Sequence, residues 1–88
     1  TLQAAMIEAL DVAPEHRVLH VGTGSGYAAA ILGRLAASVV TVERWRTLAD
    51  AAHSRLRTLG YDMVETIFGD GYDGHLARAP YDRILVTC

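Results

Sequence analysis

The groups in this 88-residue chain whose types and spacing could do chemistry are Gly22-Thr23-Gly24-Ser25-Gly26, the carboxylate of Glu43, and the pair Asp70-Gly71. Glycines at alternate positions leave backbone N–H groups bare and let a small ligand come close. Glu43 follows Gly22 by 21 residues, a place from which a carboxylate can accept hydrogen bonds from both ribose hydroxyls. Asp70, between Gly69 and Gly71, could offer an acceptor or a backbone N–H to an adenine edge. Each group also has a bland alternative. The glycines could be an ordinary strand-to-helix turn, Glu43 a solvated charge, and Asp70 a turn-former. Their coincidence at neighbouring strand ends favours a nucleoside ligand.

Other glycine-loop chemistries fit less well. A dinucleotide fingerprint needs Gly-x-Gly-x-x-Gly, but the third glycine comes one place early at Gly26, and Tyr27 stands where it belongs. This disfavours a pyrophosphate ligand and a nicotinamide-dependent dehydrogenase. No Gly-Lys-Ser/Thr ending marks a phosphate-binding P-loop. Ser25 lacks the glycines at 23 and 27 that a hydrolase nucleophile elbow requires. His16 and His20 are four residues apart, but along a strand that is roughly 13 Å, too far for one metal ion. His53 and His75 have no partner at ligand spacing. No metal site is expected.

These groups need elements to hold them, and the pattern supplies a strand–helix alternation. A helix is expected over residues 2–11, with Leu2, Met6, Ala9 and Leu10 on one face and Pro14 as its stop. Strands are expected at Arg17–Val21, Ser38–Glu43, Met63–Phe68 and Arg83–Thr87. Helices are expected over 26–36, with a stripe of Ala28, Ile31, Leu32 and Leu35, and from a Thr47 cap to Leu59. The second of these would bury Leu48, Ala52, Leu56 and Leu59 and stop at Gly60. The N-terminus of the helix at 26 would face the glycine loop with free N–H groups. Near-continuous apolar strands joined by helices predict an α/β fold with a parallel sheet. Ile84-Leu85-Val86 leaves an apolar strand edge close to Cys88, so the chain is expected to be the first half of a longer domain.

Composition sets further bounds. About half the residues are apolar and the formal charge is −2, which disfavours nonspecific binding to nucleic acid. All eight basic residues are arginine, which reads as coding bias. One cysteine, Cys88, excludes an internal disulfide and suits a reducing compartment. No leader is visible, and no apolar run approaches the ~18 residues that cross a bilayer. A soluble cytoplasmic protein is the expectation.

Several stretches together resemble one family. They are Val18-Leu19-x-Val21-Gly22-Thr23-Gly24-Ser25-Gly26-Tyr27, Val42-Glu43-Arg44, Leu59-Gly60-Tyr61, Gly69-Asp70-Gly71, and Ala79-Pro80-Tyr81-Asp82 running into Ile84-Leu85-Val86-Thr87. The chain resembles the protein-L-isoaspartate O-methyltransferases, S-adenosylmethionine-dependent enzymes with a Rossmann-like sheet. The resemblance implies a Rossmann-like parallel sheet with flanking helices, the N-terminal half of a class I methyltransferase domain over residues 1–88. It implies an enzyme that moves a methyl group from S-adenosylmethionine to the α-carboxylate of L-isoaspartyl residues in damaged proteins. Gly22, Thr23, Gly24, Ser25 and Gly26 would approach the methionine end of the cofactor, Glu43 the ribose, and Asp70 with Gly71 the adenine. No catalytic side chain is assigned. A carboxylate is already nucleophilic and a sulfonium methyl already activated, so alignment is the main requirement.

Some positions depart from the family. His20 stands where relatives usually carry Glu or Asp, and it is expected to be a histidine packed at a strand end. Cys88 replaces a small residue and is expected to pack. The family's upstream Ser-Gln-Pro segment and its C-terminal half lie outside this sequence, so this stretch alone is expected to be inactive. Alternatives are methylation of another peptide carboxylate, methylation of RNA, and a noncatalytic S-adenosylmethionine-binding module.

Overall fold

The computed structural model describes residues 2–23, 26–69 and 80–87. Its elements are α1 (Leu2–Leu10), β1 (Arg17–Val21), α2 (Tyr27–Leu35), β2 (Ser38–Glu43), α3 (Arg46–Thr58), β3 (Val64–Phe68) and β4 (Arg83–Val86). The strands are short runs rich in β-branched residues, which fit a pleated, buried surface. They form one parallel sheet in the order β3-β2-β1-β4. β1, β2 and β3 step away in one direction, and β4 pairs with the other side of β1. The strand order therefore reverses between β1 and β4, and in open α/β sheets ligands collect beyond the carboxyl ends at such a reversal.

Register lines up the residues that matter later. Leu19 lies opposite Val40 and Ile84, His20 opposite Thr41 and Leu85, and Glu43 opposite Phe68. On one face of the sheet, Ile7 of α1, Ala28, Ala29 and Leu32 of α2, and Leu56 of α3 pack with Val18, Val39, Val64 and Leu85. The three described helices thus share one face. The opposite face gathers Leu19, Val40 and Val42 with Val21, Ile67 and Tyr81, while Ile84 and Val86 stand exposed. No helix among the described residues is long and apolar enough to cross a membrane.

The expected strands at 17–21 and 38–43 match, and the other elements differ in detail. α1 ends at Leu10, before Pro14 can act. Asp11 takes a left-handed conformation at φ 53°, and the Arg83 Nε donates to the Leu10 carbonyl at 2.9 Å. Thr47 does not cap α3. The cap position is Trp45, which makes no side-chain cap bond; its backbone N–H donates to the Glu43 carboxylate at 3.0 Å instead. Gly60 does stop that helix, with φ 83°. Its N–H donates to the Arg57 carbonyl and that of Tyr61 to the Leu56 carbonyl, the paired bonds of a Schellman turn. β3 begins at Val64, yet the Met63 carbonyl still accepts from the Val39 N–H at 3.0 Å.

The buried helix faces are smaller in side chain than the apolar stripes implied. α3 buries Ala49, Ala52 and Leu56, whereas Leu48 and Leu59 are exposed. α2 buries Ala28, Ala29, Leu32 and Gly33, and Leu35 is exposed. Among the described side chains of α1, Ile7 is buried, with Met6 and Leu10 partly buried against the core; the Leu2 side chain lies outside the described ones. Helices that lie close to a sheet turn their small residues inward, so size decides the face as much as hydropathy.

Candidate functional site

β1 delivers the glycine loop and β2 delivers the carboxylate, side by side. Gly22 follows β1 directly, and its N–H donates to the Val42 carbonyl at 2.9 Å, so the loop starts in contact with the end of β2. Its φ is 98°, a conformation that side chains disfavour. Thr23 is buried, and its Oγ1 lies 2.7 Å from Thr41 Oγ1. Gly26 is the N-cap of α2 with φ 89° and makes no side-chain cap bond. Its N–H donates to the Thr23 carbonyl at 3.0 Å, and its own carbonyl accepts from Ala30 at 2.9 Å. The loop therefore closes on itself and launches α2, whose first-turn N–H groups point back toward it.

Glu43 ends β2 and is buried, only 5% exposed. Its Oε2 accepts the Trp45 N–H, and its backbone carbonyl accepts the Gly69 N–H at 2.9 Å. The ends of β2 and β3 are thereby tied together. Beyond them, the Arg46 guanidinium lies 4.3 Å from the centre of the Phe68 ring. Of the expected site residues, Gly22, Thr23, Gly26 and Glu43 meet at adjoining strand ends. Gly24, Ser25, Asp70 and Gly71 lie outside the described residues, as do His75 and Cys88.

His20 is fully buried at the end of β1, as expected of a packed histidine. Its Nδ1 lies 3.0 Å from Thr41 Oγ1 and its Nε2 2.9 Å from Thr87 Oγ1. Burial pulls its pKa down from 6.5 to about 4, against the opposing charge of Glu43. The ring is neutral at physiological pH. His16 instead serves a turn, its Nδ1 accepting the Ala13 N–H at 2.9 Å. His53 sits on an open groove of about 610 Å³ against β3. Among the described residues, no three His, Cys, Asp or Glu side chains gather as a metal site would require.

Sequence reasoning missed Thr41 and Thr87. Thr41 was visible as the one hydroxyl inside Val39-Val40-Thr41-Val42, and a buried hydroxyl needs a partner. That its partners are Thr23 and His20 depends on the β1–β2 register, which no local pattern carries.

The arrangement can hold a small molecule by bare backbone at one strand end and by a carboxylate at the next. Comparison with known proteins places it in context. The family model described as Protein-L-isoaspartate(D-aspartate) O-methyltransferase matches residues 1–88. A protein-L-isoaspartate O-methyltransferase from Xanthobacter autotrophicus is 56% identical over 87 residues, covering 99% of this chain and 40% of that protein. Its counterpart from Nitrobacter winogradskyi is 55% identical over 84 residues, covering 96% of this chain and 39% of that protein. A solved protein-L-isoaspartate O-methyltransferase structure superimposes with a TM-score of 0.91 at 37% identity, covering 98% of this chain and 28% of that one. The chain thus spans about two fifths of the length of these curated relatives.

Proposed function

This chain belongs to the protein-L-isoaspartate(D-aspartate) O-methyltransferase family, and on that premise we propose that the protein carrying it methylates the α-carboxylate of L-isoaspartyl residues in damaged proteins. The methyl donor is S-adenosylmethionine, and the product ester opens the way to repair. The observation that carries this reading is the junction of Gly22 and Glu43. A positive-φ glycine just past the end of β1 is hydrogen-bonded to Val42, the penultimate residue of β2, right beside a buried carboxylate. Bare backbone beside an accepting carboxylate suits a nucleoside whose vicinal hydroxyls donate.

In this proposal Gly22, Thr23, Gly24, Ser25 and Gly26 wrap the methionine end of the cofactor. Glu43 accepts hydrogen bonds from the ribose, and Asp70 with Gly71 contacts the adenine. Glu43 is suited to this because the Trp45 N–H fixes its carboxylate at 3.0 Å, which limits the rotamer entropy lost on binding. When bound, the cofactor supplies a methyl group on a cationic sulfur, already activated for transfer. The acceptor carboxylate is ionised at neutral pH and needs no general base. The protein's contribution is to align the two, and such alignment supplies roughly 7–11 kcal/mol. Residues 1–88 are, on this reading, part of an S-adenosylmethionine-binding domain. A cytoplasmic setting is supported by the single cysteine, Cys88.

The test is to incubate the protein carrying this sequence with radiolabelled S-adenosylmethionine and a peptide containing isoaspartate. Base-labile label on that peptide, and none on the same peptide with normal aspartate, is expected. Absence of label on the isoaspartyl peptide overturns the proposal.

A further inference from the structure

Four buried or half-buried side chains form a line across three strand ends. Thr23 Oγ1 lies 2.7 Å from Thr41 Oγ1, which lies 3.0 Å from His20 Nδ1. His20 Nε2 lies 2.9 Å from Thr87 Oγ1. Thr87, just past β4, also reaches the Gly22 carbonyl at 2.9 Å and, less closely, the Val21 carbonyl at 3.4 Å. The line begins on Thr23 and returns to Gly22, its neighbour in the glycine loop.

Counting protons gives each bond a direction. A carbonyl only accepts, so the single hydroxyl proton of Thr87 goes to Gly22. Thr87 must then accept from His20, which puts a proton on Nε2. A neutral imidazole has one N–H, so Nδ1 holds a lone pair and takes the hydroxyl proton of Thr41. Thr41, having given its proton, accepts from Thr23. Each proton is used once, and no donor faces a donor. The opposite tautomer would draw the Thr87 proton to Nε2 and leave the Gly22 carbonyl without it.

We propose that His20 is a positioning residue of the glycine loop, fixed as the Nε2–H tautomer in a one-way hydrogen-bond circuit from the Thr23 hydroxyl to the Gly22 carbonyl. Both ends of the circuit act on the Gly22–Thr23 peptide. Holding its carbonyl toward Thr87 turns its N–H the opposite way, because a trans peptide points the two apart. Holding the Thr23 side chain fixes the next residue as well. The circuit ties β1, β2 and the residue after β4 to one peptide plane, and so presets the loop before any ligand arrives. Its bearing on binding rests on the nucleoside cradle proposed above, whereas the tautomer does not.

The primary test is a long-range proton–nitrogen NMR correlation on the protein with nitrogen-15 histidine at pH 7. A protonated Nε2 and a bare Nδ1 for His20 are expected. The opposite tautomer, rapid averaging of the two, or an imidazolium would each overturn the circuit. Binding of S-adenosylhomocysteine supplies the second test. His20→Leu removes both ring contacts and is expected to weaken binding at least tenfold. His20→Gln, whose amide again offers an acceptor and an N–H donor, should recover most of that loss. Equal losses in the two variants would overturn the positioning role. If wild-type protein shows the expected tautomer yet does not bind S-adenosylhomocysteine, the cofactor reading fails and the circuit stands. If it binds but shows the opposite tautomer, the reverse holds.

Discussion

Gly33 of α2 sits so close to Val64 of β3 that a Cβ at position 33 would lie 2.7 Å from the Val64 Cγ2, with Met63 Sδ and Tyr61 Cδ1 each at 3.4 Å. A real Cβ does not approach a methyl carbon that closely, so glycine sets the distance between this helix and the sheet. Alanine would gain about 1 kcal/mol of helix propensity over glycine. Overpacking a filled core costs typically 1–3 kcal/mol. Val64 is itself buried at the start of β3, so its methyl group must shift to admit the new carbon. Gly33→Ala is therefore expected to destabilise the protein by up to about 2 kcal/mol in urea unfolding, and a second change, Val64→Ala, should make the alanine at 33 better tolerated. A stabilised Gly33→Ala protein would contradict this packing.

Gly26 poses the opposite case. A Cβ there would meet Ala52 and Leu56 at 3.7–3.8 Å, ordinary contact. The cost instead lies in its φ of 89°, which L residues with a Cβ enter at roughly 1–2 kcal/mol. Gly26→Ala is expected to lose about that much stability, Gly26→Asn less, and Gly26→Val more. Thermal melts of the three would reveal a steric origin instead if the loss tracked side-chain volume alone.

Stability should depend on pH through His20. Its folded pKa is lowered to about 4 from an unfolded value of 6.5, so between these the unfolded chain binds a proton that the folded chain does not. Unfolding then takes up a proton, and stability rises with pH. The contribution is full above about pH 6.5, falls as pH drops toward 4, and levels off below. The span corresponds to up to about 3 kcal/mol. Denaturation midpoints measured from pH 7.5 to 4.5 should lose this part of their slope in His20→Gln. An unchanged slope in that variant would show that His20 does not titrate in this way.

The sequence carried the strands better than the helix faces. β1 runs between Arg17 and Gly22 and β2 between Ser38 and Glu43, each mostly apolar inside those polar or glycine limits, and both were legible to the residue. The inward faces of α2 and α3 were not, because Gly33, Ala49 and Ala52 look neutral in a hydropathy pattern while Leu35, Leu48 and Leu59 look buried. Close helix–sheet approach inverted that order. Gly22, Thr23, Gly26 and Glu43 were legible as site candidates since each stands at a strand end with a distinctive residue type. Thr41 and Thr87 were not singled out. Their roles arise from the pairing of β1 with β2 and β4, which brings His20 between them.

Cofactor binding is proposed to depend most on Glu43 meeting the ribose beside the glycine loop. Hydrogen bonds to a charged group contribute about 1.5–3 kcal/mol, or roughly 10- to 150-fold in affinity. The direct measurement is calorimetric titration of S-adenosylhomocysteine, and of its analogue lacking both ribose hydroxyls, into wild-type protein and Glu43→Gln, with circular dichroism checking that the variant is folded. Wild type should bind S-adenosylhomocysteine at one site and lose at least tenfold on Glu43→Gln, while the hydroxyl-free analogue should bind both proteins alike. Undiminished binding of S-adenosylhomocysteine by a folded Glu43→Gln protein would contradict the account.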